Sequence, residues 1–554
     1  MKHSITQSMS WLHTWAGLVL GWALVAIFVT GTLAVFDREI TQWMQPEIPA
    51  ATADREQSVR HAIDYLRQHH GNEARWQVQL PTERYDRLAV SAGEQRRGGG
   101  RGGVQTVLDP ATGEVLQVRD TAGGNFFFRF HYTLHFPRNI GVWIVGFMAM
   151  AMLAAIVSGI IIHKKFFKEF FTFRPNKGQR SWLDYHNASG VLLLPFHIMI
   201  TYTGLVIFFS IYMPGPMDAL FNGDRESYVS AMRGAPVGGG RGEQGREGEP
   251  TVPGQRGIPA DGQGSAPRGE NGASERGGGA RPTLRDRTDD IDFMGLIALA
   301  EAQMGPISGF SLQRRPDGQA TFEASPVLGN IIELTKGKSM ALDALSGRAI
   351  RAPAEANGAS WVQRVIAGLH FAQFGGYPMR WLYFVCGLVS SAMMASGLIL
   401  FTVKRRRRYE KESRGARFGY EAIERINIAI VSGLLLASIG LLWANRVLPV
   451  ELAGRAAAEV NTFFAIWGLS FLHASLRPWL QAWREQLWTC AAVAVALPLG
   501  NLMAGFDLFG SGSNLYVEVT TVAFGMLMAV AALKVTDVSA VARPVIKAPR
   551  EKLA

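Results

Sequence analysis

Long uninterrupted apolar runs alternate along the chain with stretches in which polar and apolar residues intermix. Eight runs, at about 11–36, 139–162, 184–212, 379–403, 425–445, 457–476, 487–505 and 515–534, are candidate membrane spans. Runs of roughly 18 or more apolar residues read as membrane helices. The first is too long for the apolar core of a secretory signal, and no small-x-small cleavage pattern follows it, so it reads as a retained helix. Two long insertions separate the early spans. In the first, SVRHAIDYLRQHH has a helical period, WQVQLP, RLAVSA and QTVLD read as strands, and DPATGEV reads as a turn. In the second, IDFMGLIALAEAQM is the helix, and GFSLQRR, QATFEAS and SMALDAL are the strands. Each insertion thus predicts a small α+β unit. Residues 234–285 are rich in Gly, Pro, Arg and Glu and have almost no large apolar residues, a composition that predicts disorder. RRGGGRGG (96–103) predicts a hairpin tip.

The fold class expected is a polytopic α-helical membrane protein with about eight spans, the first four duplicated, and two small external α+β domains. The expected divisions are 1–36 (first span), 37–138 (external domain), 139–212 (two spans and an internal loop), 213–378 (second external domain), 379–410 (fourth span and basic anchor) and 424–534 (a four-span module).

Charge sets the orientation. The chain has 56 Lys and Arg against 45 Asp and Glu, a net charge of +11, but only 18% of its 554 residues are charged. The basic residues cluster beside apolar runs, in HKKFFKEFFTFRPNKGQR after the second span and VKRRRRYEKESRGARFGYEAIERIN after the fourth. This placement argues for a membrane surface and against nucleic acid. By the positive-inside rule both termini are cytoplasmic and both insertions lie outside, in the periplasm of a bacterium. KRRRR (404–408) reads as an anchor to anionic lipid. Cys386 and Cys490 both lie in apolar runs and no Cys-x-x-Cys occurs, so iron–sulfur and thiolate zinc sites are not expected. There is no Walker loop, no G-x-G-x-x-G fingerprint and no Ser-His-Asp constellation.

The first half contains a repeat. SWLHTWAGLVL...TGTLAVF (10–36) aligns with SWLDYHNASGVLL...TGLVIFF (181–209) at an offset of 173, placing His13 on His186, Gly17 on Gly190 and Gly31 on Gly204. VLDPATGEVL (107–116) resembles ALDALSGRAI (341–350), LHF (134–136) matches LHF (369–371), and IVSGIII (156–162) matches MASGLIL (394–400). Each unit is helix, external domain, helix, and both start on the same side. A parallel repeat predicts a pseudo-two-fold axis along the membrane normal. The last four runs show no such echo.

Six of twelve histidines, His13, His135, His163, His186, His197 and His370, lie in or at the ends of the first four runs; His131 sits one turn before His135. An ionisable side chain in a membrane helix marks a functional site by default. Zinc and copper sites need three or four ligands at one depth, and proton relays use intramembrane carboxylates, which are almost absent here. Haem needs one or two axial ligands, commonly His, and an apolar slot. Gly17, Gly21, Gly190, Trp15, Trp22, Phe196 and Phe371 supply such a slot. Haem b, two copies, is the cofactor expected, with the six histidines as axial candidates. Pairing His13 with His186 and His135 with His370 gives one haem near each face. A ladder using His186 and His197, about 16 Å apart along one helix, is the alternative, and the sequence leaves both open. Arg380, in FGGYPMR just after His370, is a candidate partner for a haem propionate.

The LHTWAGL start, the paired LHF motifs, FGGYPMR and the helix–domain–helix units with DxxTG-type turns resemble the PepSY-associated transmembrane helix family over about residues 1–410. That resemblance implies an iron-regulated inner-membrane protein similar to ferric-siderophore reductases, with two PepSY-like periplasmic domains and His13, His135, His186 and His370 at the motif histidines. The extra four-span module and the Gly-rich insertion depart from the short members. The function expected is a membrane haem oxidoreductase. It would pass electrons from a quinol or a cytoplasmic reductase to a periplasmic acceptor, a ferric siderophore. The rival expectations are a peptide- or protease-binding regulatory or assembly protein, and a transporter.

Overall fold

The computed structural model describes residues 4–50, 54–93, 105–163, 174, 178–213, 215–222, 224, 288–315, 318–329, 331–334, 338–353, 358–409, 411–506 and 512–541. The Gly-rich tract at 234–285 and the 96–103 tip fall outside these residues.

Helix α1 (Ile5–Val19) starts at a capping box: the Ser4 hydroxyl accepts from the Gln7 N–H, and the Gln7 side chain accepts from the Ser4 N–H. It breaks at Leu20 and continues, bent by 61°, as α2 (Gly21–Ala34). The second copy does the same at the equivalent residue, Leu193, between α7 (Gln179–Leu192) and α8 (Leu194–Ile207), with a bend of 64°. Pro195 in the first turn of α8 has no N–H to continue the ladder. Between the copies lie α3 (Asp37–Trp43), α4 (Arg55–His70), α5 (Asn125–Thr133) and α6 (Arg138–Ile162). The second unit closes with α9 (Phe293–Met304), α10 (Gly358–Phe371) and α11 (Gly376–Tyr409).

The helices pack with two-fold symmetry. Contact of α1 with α6 is mirrored by α7 with α11, α2 with α5 by α8 with α10, and α2 with α11 by α8 with α6. The C-terminal module is α12 (Arg414–Val447, with one π turn at Ala429–Gly433), α13 (Arg455–Leu476), α14 (Trp479–Met503) and α15 (Gly512–Val541). Among the described residues, five helices are long and apolar enough to cross a membrane, or seven if each bent pair is one span. Of the eight expected runs, the one at 457–476 lies outside this count, since α13 carries Glu459, Asn461 and His473.

The two expected α+β units are joined. Strands β1 (Arg75–Gln79), β2 (Leu88–Ala92), β3 (Thr106–Leu108) and β4 (Val115–Leu116) come from the first insertion. Strands β5 (Ile307–Arg314), β6 (Ala320–Pro326), β7 (Met340–Asp343) and β8 (Ala349–Arg351) come from the second. They form one antiparallel sheet in the order β4-β3-β2-β1-β5-β6-β7-β8. The seam is β1 against β5, with Trp76 opposite Leu312, Gln77 opposite Ser311 and Val78 opposite Phe310. Leu66 of α4 and Ala300 of α9 pack with Leu80, Leu88, Leu312 and Phe322 in a single core beneath both halves. An axis that exchanges antiparallel neighbours stands perpendicular to their sheet. The two-fold that relates the helices also exchanges β1 with β5, so the sheet lies across the end of the bundle.

Candidate functional site

The axis carries two histidine pairs. His13 on α1 faces His186 on α7, its repeat equivalent, with ring centres 6.3 Å apart and planes at 74°. His131, in the last turn of α5, faces His370, in the last turn of α10, at 6.0 Å and 34°. Each pair draws one residue from each unit, so each sits on the axis. Residues whose carbonyls flank the two members of the second pair, Ile27 and Ile200, follow His13 and His186 by fourteen residues. At 1.5 Å per residue the pairs are at most about 21 Å apart along those bent helices.

The hydrogen bonds behind the rings fix the same tautomer four times. His13 Nδ1 lies 3.0 Å from the Ala155 carbonyl and 3.1 Å from Ser158 Oγ on α6. His186 Nδ1 lies 3.0 Å from the Met393 carbonyl and 3.3 Å from Ser396 Oγ on α11. His131 Nδ1 is 2.8 Å from the Ile27 carbonyl. Thr203 Oγ1, whose own proton goes to the Met199 carbonyl, is 3.0 Å from His370 Nδ1. A carbonyl, or a hydroxyl that already donates elsewhere, accepts; each Nδ1 therefore carries the proton. Each Nε2 keeps its lone pair, and an acceptor behind Nδ1 is how a protein presents imidazole to a metal. Among the described residues none of the four Nε2 atoms makes a hydrogen bond.

The rings press against repeated glycines. A Cβ on Gly31 would lie 2.6 Å from His131 Nδ1, and one on Gly204 would lie 2.9 Å from His370 Cε1. Gly159 and Gly397 stand in the same relation to His13 and His186.

This donor set fits haem. Two imidazole nitrogens at about 2 Å on opposite sides of one metal put their ring centres about 6 Å apart, and both pairs stand at that separation. Among the described residues no group of three or more His, Cys, Asp or Glu is gathered to hold a metal directly; the histidines come in twos.

The remaining expected residues are placed differently. The structure does not bring His135 to His370. It lies past the left-handed Leu134 at the end of α5, and its exposed ring packs on Phe126 and Phe464 of α13. His197 is buried, with Nε2 2.8 Å from Ser390 Oγ of α11; that bond ties α8 to α11. His163 caps α6, its N–H bonded to the Gly159 carbonyl, one turn from the glycine that backs His13. His131, which the sequence reading set one turn before His135 without pairing it, faces His370 where His135 was expected. The repeated Ser-Gly pairs carry the signal: His131 precedes Ser158 by 27 residues and His370 precedes Ser396 by 26, whereas His135 precedes Ser158 by 23.

Arg380 is buried, with Nη1 3.2 Å from the carbonyl of Ala372, two residues beyond His370. It belongs to a polar cluster between the bundle and the sheet. Arg84 bonds Glu39 through Nε at 2.8 Å and Nη2 at 2.7 Å, and the Tyr377 hydroxyl donates to the same carboxylate at 3.2 Å. Burial pushes the Asp37 carboxyl above its ordinary range, against the pull of Arg84. Burial, then the neighbouring Arg84, lowers the proton affinity of Arg38. Arg38, Arg84 and Arg380 outnumber Asp37 and Glu39, so the cluster has positive charge to spare for a carboxylate.

A model of the PepSY-associated TM region matches residues 10–404. The chain belongs to this family. The match takes in both units of the repeat and all four paired histidines, and it ends before the C-terminal module. Family membership and the apolar helices together make this a multi-pass membrane protein. No curated protein matches the chain.

Proposed function

We propose that this PepSY-associated TM protein is a bacterial inner-membrane oxidoreductase that carries two b-type haems. It would pass electrons outward to a ferric siderophore in the periplasm. The observation that carries the reading is the pair of symmetry-related histidine couples on one axis, each at the spacing of two imidazoles on one iron. Haem, when bound, supplies one-electron transfer. The chain supplies the rest. His13 with His186, and His131 with His370, would hold one iron each, so each cofactor needs both units of the repeat. Ala155, Ser158, Met393, Ser396, Ile27 and Thr203 accept from Nδ1 and hold the ring planes. Arg380, with Arg38 and Arg84, would pair with a propionate. The eight-stranded sheet, in the periplasm by the charge pattern, would shape the acceptor site. Reducing Fe(III) to Fe(II) weakens its hold by hard oxygen ligands and frees the iron.

The test is an absorption spectrum of detergent-purified protein with a pyridine haemochrome assay. We expect a red protein with two haems b per chain and a Soret band that shifts on dithionite. Added ferric siderophore should then reoxidise the reduced protein and release Fe(II) to a chelator. A colourless preparation from haem-replete cells overturns the reading.

A further inference from the structure

A cleft of about 830 Å³ runs between the repeat bundle and the C-terminal module, walled by α2 and α11 on one side and α12, α14 and α15 on the other. Its middle is aliphatic and aromatic, with Val29, Phe384, Leu388, Leu435 and Phe524 among its walls. The end toward the sheet has Glu39, Trp381 and Tyr516; the other end has Tyr185, Arg406, Glu424, Trp479 and Lys534. The cleft is therefore mostly apolar along its length, with a few hydroxyls in its walls and charged side chains only at its tips. Ser396 forms part of its wall, and the same hydroxyl lies 3.3 Å from Nδ1 of His186. One side chain separates the cleft from the first histidine pair.

The polar end near the basic termini of α11 selects the occupant. Glu424 is 5% exposed, and no donor reaches its buried Oε2 at full hydrogen-bond geometry, although the side chains of Thr402, Tyr420 and Trp483 group around the carboxylate. Arg406 stands 3.7 Å from its other oxygen and stacks on Trp479 at 3.6 Å, so its charge is already engaged. A buried carboxylate with one oxygen short of a well-formed hydrogen bond can take an O–H from a ligand. A phosphodiester brings negative charge to that carboxylate; a hydroquinone brings two O–H groups on an uncharged ring with a long apolar tail. We propose that this cleft binds an isoprenoid quinol and that the quinol is the electron donor to the His13/His186 site. Each quinol oxidised to quinone loses two electrons and two protons. The electrons would pass one at a time to the haem that His13 and His186 would hold. One proton goes to the Glu424 carboxylate and on to water at the basic end, and the second follows the same route. The electron-transfer half of this proposal rests on the haem reading above; the binding half does not.

The experiment separates the two. Lipids extracted from the purified full-length protein are measured by mass spectrometry, and haem is quantified on the same sample. Decylubiquinone is then titrated against tryptophan fluorescence, since Trp381, Trp479 and Trp483 line the cleft. Copurified quinone and saturable quenching are expected, with decylubiquinol reducing the bound haem. Ala395→Trp, which fills the slot, should weaken quenching about tenfold or more and leave haem content unchanged. Leu388→Trp, higher in the same slot, does the same work where the first variant fails to fold. Glu424→Gln should slow haem reduction by decylubiquinol more than it weakens quenching. Quinone bound to a haem-free protein would sink the haem reading and keep the binding site. A haem-loaded protein that yields phospholipid alone and shows no quenching overturns the present inference.

Discussion

At the scale of single residues, the histidine pairs make predictions that separate neighbours one turn apart. His131→Ala and His370→Ala should each remove one of the two haems, and His13→Ala and His186→Ala the other, read as haem per chain by pyridine haemochrome. His135→Ala should leave both in place, because its ring packs on Phe126 and Phe464 rather than facing His370. Loss of haem in His135→Ala with retention in His131→Ala would reverse the assignment. Thr203→Val removes the acceptor of His370 Nδ1 without changing the side-chain volume much. Affinity for the second haem should fall by about 10-fold or more, with the first site unmoved in the same titration. The sequence displayed the repeat, the glycines and three of these four histidines. It misplaced the fourth because the LHF identity lies one helical turn out of register with the fold. Three identical letters outweighed the longer-range count to the Ser-Gly pair, and only the count reflects where α5 ends. His197 was equally visible but undecidable, since whether a buried imidazole meets Ser390 or a cofactor depends on which face of α11 it reaches.

At the scale of elements, the spans were legible from apolar run length alone, whereas their bends were not. Pro195 sits at the second break, but the first, at Leu20, has no such residue and copies its angle within 3°. Gly21, directly after that break, lets Leu398 of α11 approach to 3.0 Å of where a Cβ would be. Helix α13 shows the opposite failure, an apolar stretch whose charged residues decide its role. Arg455 and Glu459 are fully buried and paired at 2.5 Å. Glu459 also accepts from Asn445 Nδ2 at 2.7 Å, Thr121 Oγ1 at 2.7 Å and the Ala122 N–H at 2.8 Å. Arg455 reaches the Asp120 carbonyl at 3.0 Å. This network ties the segment before α5, and hence His131, to the C-terminal module. Removing one partner strands a buried charge, so Glu459→Ala should lower stability by about 3–5 kcal/mol, seen as a depressed thermal midpoint in detergent. Arg455→Met with Glu459→Leu takes away both charges and should recover much of that loss. A double variant as unstable as the single one would mean that shape, not charge, is what the site demands.

At the scale of the whole molecule, the sheet seam was invisible in the sequence, because β1 and β5 pair across more than 200 residues and each insertion alone reads as a finished α+β unit. What joins them is a shared core and one close approach. Gly309 of β5 is opposite Gln79, and a Cβ there would lie 2.3 Å from the Val78 carbonyl. Gly309→Val should therefore force the seam apart. The paired histidines come from α1, α5, α7 and α10, and their hydrogen-bond acceptors from α2, α6, α8 and α11, so under the proposed function haem content should survive the substitution. Limited proteolysis should then cut within 54–93 and 288–353 faster than in the parent protein. Reoxidation by ferric siderophore should slow if the joined sheet shapes the acceptor site. If the seam opens and reoxidation stays at the parental rate, the acceptor reaches the second histidine pair without help from the sheet, and the place where iron is reduced must be sought at the rim of α5 and α10 instead.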